Sequence, residues 1–236
     1  MKRRALGLIS VFAHMSEESL ESLIAIARLH YLERNAILHY EGELINYACF
    51  LARGKVELYK MDKNDNELFL CYVDDSAQGK RLINAFGDFV PYETAANVRG
   101  IRPSEIVIFE LDKLHSLALN NIEISNALMR EFMDKMIVFK NVVNFREIFD
   151  SASKVAYFLY TKLDYFNQMQ RQIIARELNI KIETLSRILH KMFQQGIIAK
   201  NEHNEIYIKD PALFVNLYGN VKQHFSQDLI NQKKMR

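Results

Sequence analysis

Cysteine is scarce: the 236-residue chain has two, Cys49 and Cys71. Two thiols make no disulfide framework, and these form no CxxC pair. An iron–sulfur cluster held by four local thiolates is excluded. No apolar run approaches the length that spans a bilayer, and the opening Met1-Lys2-Arg3-Arg4-Ala5-Leu6-Gly7-Leu8-Ile9-Ser10 is too short for a signal peptide. The chain reads as cytosolic, with no membrane partner. No Gly-rich phosphate loop, nucleophile elbow or HExxH pair is present, and Asp and His are scattered rather than clustered. An enzyme is therefore not expected, and no spaced set of metal ligands is found.

A hydrophobic fraction of 49% and a charged fraction of 25% are ordinary globular values. They suffice for one large domain or two modest ones. The net charge of +2 hides a division. Residues 1–150 carry 18 Lys/Arg against 22 Asp/Glu, net −4, whereas residues 151–236 carry 13 against 7, net +6. A basic C-terminal third is the footprint of a module that binds a polyanion.

Ser16 can cap a first helix, with Glu17 and Glu18 in its first turn and Leu20, Leu23, Ile24 and Ala27 as its apolar stripe. Short alternating runs follow at 37–40, 47–51, 55–59, 67–73 and 106–109. Turn signals separate them at Glu41-Gly42, Arg53-Gly54, Asp62–Asn66, Gly87-Asp88 and Arg102-Pro103-Ser104. Evenly spaced short strands of this kind predict a small antiparallel barrel or sandwich.

A long helix is expected from about Ile122 to Phe149, with no Pro or Gly to break it. Ile122, Ser125, Met129, Phe132, Met136, Phe139 and Val143 alternate in steps of three and four, as a heptad seam does. Such a seam can face a partner helix or the chain's own barrel. A second apolar set, Ile124, Leu128, Val138 and Val142, can serve the barrel, so the first is assigned to a second copy of the chain. The resulting division is 1–120 as a strand-rich domain, 121–150 as a dimerisation helix and 151–236 as a third region.

That third region reads as short helices, one capped by Ser153, one from Met169 to Leu178 and one from Ile182 to Gln195, stopped by Gly196. Ile197-Ile198 and 205–208 flank a polar tip, Asn201–Asn204, as a two-stranded wing, and Pro211 opens a last helix. Within this region Ala175 is small where two helices would cross, and Asn179 tolerates a left-handed turn. Ile180 plugs the corner, and Leu185, Ile188 and Leu189 form the buried stripe of the next helix. This is the anatomy of a helix-turn-helix, whose second helix enters the DNA major groove. Its outer face carries Glu183, Ser186 and Arg187. Arginine can donate twice to guanine, and a carboxylate can accept from cytosine. Glu183 and Arg187 are also one turn apart and able to pair with each other.

The Glu183-Thr184-Leu185-Ser186-Arg187 core resembles the recognition helix of the CRP/FNR family, in its serine version. Arg171-Gln172-Ile173, Glu41-Gly42-Glu43, Phe50–Tyr59 and Ala96–Ile106 are similar to further family signatures, and the resemblance runs in order from about Phe12 to Phe214. It implies an α+β chain: an N-terminal β-roll of the cyclic-nucleotide-binding type, a dimerisation helix and a C-terminal winged helix-turn-helix. It implies that Glu183, Ser186 and Arg187 read TTGA-like half-sites of a palindrome, that Arg171, Gln172, Lys181 and Thr184 hold phosphates, and that RNA polymerase is a partner. The dimer would rest on Ile122, Met129, Phe132, Met136, Phe139 and Val143.

The stretch Ala85–Ala96 departs from the family's cyclic-nucleotide pattern. Gly87-Asp88 stands in place of Gly-Glu, and Glu93 or Thr94 stands where a phosphate-binding Arg belongs. The expected effector, a small molecule or a gas, is therefore something other than cAMP. Haem, used by some members of the family, stays open as an alternative, with His14, His30, His39 and His115 as candidate ligands. Cys49 and Cys71 are expected to be inert buried thiols, and Tyr47, Phe50, Phe69, Tyr72 and Phe86 core aromatics. A ligand-binding module that contacts proteins instead of DNA is the remaining alternative.

Overall fold

The computed structural model describes residues 1–76, 81–84, 86, 88–147 and 149–218. The chain divides into two compact units, Met1–Val142 and Val143–Arg236.

The first unit opens with helices α1 (Lys2–Gly7) and α2 (Glu17–Ile26). Strands β1 (Arg28–Leu32), β2 (Ile37–His39), β3 (Leu44–Ile45), β4 (Tyr47–Met61), β5 (Glu67–Asp74), β6 (Tyr92–Glu93) and β7 (Asn97–Glu110) follow. Helix α3 (Leu111–Asn120) and the long α4 (Ile122–Glu147), which runs on past Val142, come last. The main sheet has the order β1-β7-β4-β5, with β2 also on β7, and β3 pairs β6 apart from it. Every pairing is antiparallel, as alternating strands joined by short turns predict.

Two expected turns are absent. The runs 47–51 and 55–59 are one fifteen-residue strand, and Arg102-Pro103-Ser104 lies within β7. The β4–β7 register slips between Leu51 and Val56, so both turn signals are bulges inside long strands. Gly54 sits there at φ +112°, and a Cβ on it would lie 2.2 Å from the Ser104 Oγ. Proline, without an N–H to give, is tolerated where the ladder is already broken.

Ser16 caps α2 as expected, accepting from the Ser19 N–H at 3.3 Å. Glu123 of α4 in turn accepts the Ser16 N–H at 3.0 Å. The short α1 went unforeseen, since six residues are too few to show a helical period. It brings Ala5, Leu6, Ile9 and Phe12 into the core with no exposed surface. There the Phe12 ring lies 5.2 Å from Phe50 and 6.1 Å from Phe109, in the tilted and edge-on geometries aromatic pairs favour.

The second unit contains α5 (Ser151–Thr161), α6 (Leu163–Gln168), α7 (Arg171–Glu177), α8 (Ile182–Gln194), β8 (Ile198–Lys200), β9 (Ile206–Ile208) and α9 (Pro211–Tyr218). Its own core gathers Val155, Leu159, Phe166, Ile174, Leu178, Leu185 and Ile197. The cap of α5 is Asp150 and not Ser153: the carboxylate accepts the Ser153 N–H at 2.8 Å. An N-cap carboxylate takes the N–H three residues on, so the cap lies three residues before the serine chosen from sequence. Helix α6 was also missed, and α7 starts at Arg171 rather than Met169. The wing, the stop at Gly196 (φ +70°) and the proline-led last helix stand where expected.

Candidate nucleic-acid interface

The corner between α7 and α8 is built as its residues dictate. Ala175 is buried, and its carbonyl accepts the Ile180 N–H at 3.0 Å across the turn. Asn179 takes φ +51°, a conformation that asparagine adopts more readily than bulky residues do. Leu185, Leu189 and Met192 then fall on the buried side of α8, at steps of four and three.

The opposite side of α8 is open. Lys181, Glu183, Ser186, Arg187, His190 and Lys191 are exposed and Thr184 is half-buried. No side chain caps the start of α8 at Lys181. Glu183 and Arg187, placed where they could pair, do not: no ion pair joins them among the described residues, and both side chains point to solvent unengaged. Between exposed groups such a pair gains only a few tenths of a kcal/mol, too little to hold two long side chains in one geometry.

The residues assigned to phosphate are less uniform. Gln172 is exposed at the start of α7. Arg171 is half-buried, donates to the Phe166 carbonyl at 2.6 Å and lies 4.2 Å from the Phe166 ring centroid. Burial pulls its pKa down. Arg171 therefore closes the C-terminal end of α6 whatever else it touches.

Two anchors of this unit were not found from sequence. Asn167 of α6 bonds Ile206 of the wing twice, at 2.9 and 3.0 Å. Glu177 is buried on α7 and accepts from the Tyr165 hydroxyl. Both are single polar residues whose partners lie in other elements, so no local pattern marks them. The wing tip is exposed and shaped locally, Asn201 accepting the N–H groups of His203 and Glu205 at 3.0 and 2.9 Å.

The seam residues of α4 separate into two groups. Ile122, Met129, Met136 and Val143 are exposed, as a partner-facing stripe requires, and Met133 and Ile137 join them. Phe132 turns to its own barrel instead, its ring 4.8 Å from that of Phe86. Phe139 is half-buried, with the Lys135 ammonium 5.7 Å from its ring. Ile124 and Leu128, from the second apolar set, are buried.

In the first unit, Ala85 and Gly87 lie outside the described residues. Phe86 is buried among Phe89, Tyr92 and Phe132. Glu93 is exposed on β6, and the Thr94 hydroxyl accepts the Glu43 N–H at 3.2 Å and donates to the Tyr40 carbonyl. Among the histidines, His14 and His30 are exposed, His115 stacks on Phe89 at 4.6 Å and His39 is buried. Two cavities of this unit, about 520 and 290 Å³, share Arg4, Arg53 and Asp75 in their lining, and no histidine lines either. Burial pushes the Cys49 and Cys71 thiols up, which keeps both protonated. Among the described residues no group of three His, Cys, Asp or Glu could hold a metal, and no helix is long and apolar enough to cross a membrane.

A strand-rich unit followed by a winged helix-turn-helix is the layout of a DNA-binding regulator. Residues 153–216 match the Crp-like helix-turn-helix domain. Among solved structures the chain is similar in fold to FixK2 from Bradyrhizobium japonicum, at 17% identity and TM-score 0.58, over 81% of this chain and 97% of that one. It is similar to CLP, the c-di-GMP responsive global regulator of Xanthomonas campestris, at 16% and 0.61, over 83% and 100%. It is also similar to a CooA mutant from Carboxydothermus hydrogenoformans, at 17% and 0.62, over 93% and 94%. No curated protein sequence matches the chain. The chain has the fold of the CRP/FNR transcription regulators, and its second unit carries their helix-turn-helix.

Proposed function

We propose that the chain acts as a homodimer that reads a palindrome of TTGA-like half-sites and is gated by an effector other than cAMP. The observation that carries this is the outer face of α8, where Glu183, Ser186 and Arg187 are exposed and unpaired while the inner face is seated on the core. Side chains so placed meet base edges without first breaking a bond within the protein. Arg187 then donates to guanine O6 and N7, and Glu183 accepts from cytosine N4. Gln172, Lys181, Thr184 and the free part of Arg171 hold phosphates, which positions the helix but carries no sequence information.

Dimerisation through α4 pairs the exposed stripe of Ile122, Met129, Met133, Met136 and Val143 with that of a second copy. Left alone, that stripe keeps large apolar side chains in water, which association relieves. Against cAMP stand the acid at Glu93, the engagement of the Thr94 hydroxyl by Tyr40 and Glu43, and the aromatic packing around Phe86. Fluorescence anisotropy with a TTGA palindrome and a scrambled duplex tests the reading. A preference of roughly 10³-fold or more, with affinity falling steeply as salt rises, is expected. Equal affinity for both duplexes would remove the base-reading role.

A further inference from the structure

The long helix α4 is joined to the barrel by two buried charges, which purely apolar helix packing does not need. Glu131 and Lys135 are one turn apart on α4, and each is at most 3% exposed. The Glu131 carboxylate accepts the backbone N–H of Arg81 at 3.2 Å and of Leu82 at 3.0 Å. The Lys135 ammonium donates to the carbonyls of Leu82 at 3.0 Å and Ile83 at 2.7 Å. Three successive residues of one segment are thus held by charge-assisted bonds from one face of one helix. On its other side the same segment is tied to β4, Leu51 N–H to Arg81 carbonyl and Ile83 N–H to Cys49 carbonyl, both at 2.8 Å. Asn84 continues the tie, accepting the Cys49 N–H at 2.8 Å. Between the two charges on α4, Phe132 meets Phe86.

We propose that Glu131 and Lys135 make α4 and the segment 81–84 a single mechanical unit, so that any effector that shifts the segment shifts the helix with it. Apolar packing is non-directional and lets a helix slide or roll at modest cost. A carboxylate and an ammonium buried against backbone groups do not, because a slide of even one residue leaves each charge without its partners in a medium that cannot solvate it. The pair is a positioning device: it fixes where α4 sits along its axis and hands the position of 81–84 directly to it. The proposal rests on the effector-gated reading for its purpose, though its test needs neither DNA nor an effector.

Hydrogen exchange of the full-length protein, followed by mass spectrometry, compares peptides covering 81–84 and 124–138 in the wild type, Lys135→Met and Glu131→Gln. If the two stretches are one unit, both accelerate together by at least tenfold and by the same factor in each variant, while the peptide covering 182–194 is unchanged. Acceleration confined to 81–84, with α4 at wild-type rates, would overturn the proposal and leave the charges as local edge fillers. Should Lys135→Met fail to fold, Glu131→Gln, which keeps the shape and one acceptor, carries the same comparison. A wild type that fails to prefer the palindrome refutes the proposed function and leaves the exchange result standing.

Discussion

Replacing Arg187 with alanine separates base reading from fold maintenance, because the structure gives Arg187 no protein partner. It is exposed on α8, with no ion pair or hydrogen bond among the described residues. Its removal takes nothing from the second unit's core, so the unfolding free energy should stay within about 0.5 kcal/mol of wild type. On DNA the proposed role predicts the loss of a two-pronged guanine contact, about 1–3 kcal/mol per half-site, which is roughly 5- to 150-fold. Random duplex loses only one cation, which lowers the salt slope by about one per half-site and leaves the base preference flattened. The control is Arg171→Ala. That side chain bonds the Phe166 carbonyl and covers its ring, so its loss should cost about 1–2 kcal/mol of fold stability and weaken all duplexes alike. Anisotropy on specific and random duplexes, beside thermal unfolding of both variants, reads these quantities. If Arg187→Ala lost equal affinity on the two duplexes, or unfolded several degrees early, the assignment of α8 as the reading helix would be wrong.

Met136, 70% exposed at the middle of the apolar stripe, should give monomers on sedimentation when changed to Glu, with the monomer still folded. A dimer that survives the change would place the interface elsewhere. Gly54→Ala should destabilise the first unit by on the order of 1–3 kcal/mol, seen as a lower melting temperature, because its φ is +112° and its Cβ would meet Ser104 backbone and side chain within 2.6 Å. Asp150→Ala should cost the second unit about 1 kcal/mol through loss of the α5 cap. Hydrogen bonds from Ser153 hold the Asp150 carboxyl below its usual pKa, so its contribution is present in full above about pH 4 and fades as pH falls through the lower, folded value. Below that value wild type and variant should unfold alike; a constant gap down to low pH would show that the cap does not act through the charge.

The second unit was largely legible in sequence because its signals are local. An asparagine at a tight turn, a glycine at a helix end, a proline opening a helix and a three-four apolar stripe each fix the backbone within a few residues. The base-reading candidates were found on the exposed side for the same reason: once Leu185 and Leu189 face inward, Glu183 and Arg187 must face out. Prediction failed where the deciding interaction is long-range. Gly54 and Pro103 look like turns until β4 and β7 are laid side by side and their irregularities are seen to face each other. A period of three and four fits two neighbouring stripes on α4, one of which places Phe132 outward. Only the contact with Phe86 chooses between them. Glu131 and Lys135 gave no hint of burial, because a Glu and a Lys one turn apart on a helix look like any solvated pair.

The bonds from Glu131 and Lys135 also close a strand edge. The segment 81–83 lies on β4 as a short strand would, with the Leu82 N–H and C=O turned away from β4. Exposed groups of that kind are a template on which a second chain can add a strand, the first step of edge-to-edge aggregation. Here both are already taken by side chains that reach down from α4. A carboxylate and an ammonium stand where the next strand would bind, and neither can continue a ladder.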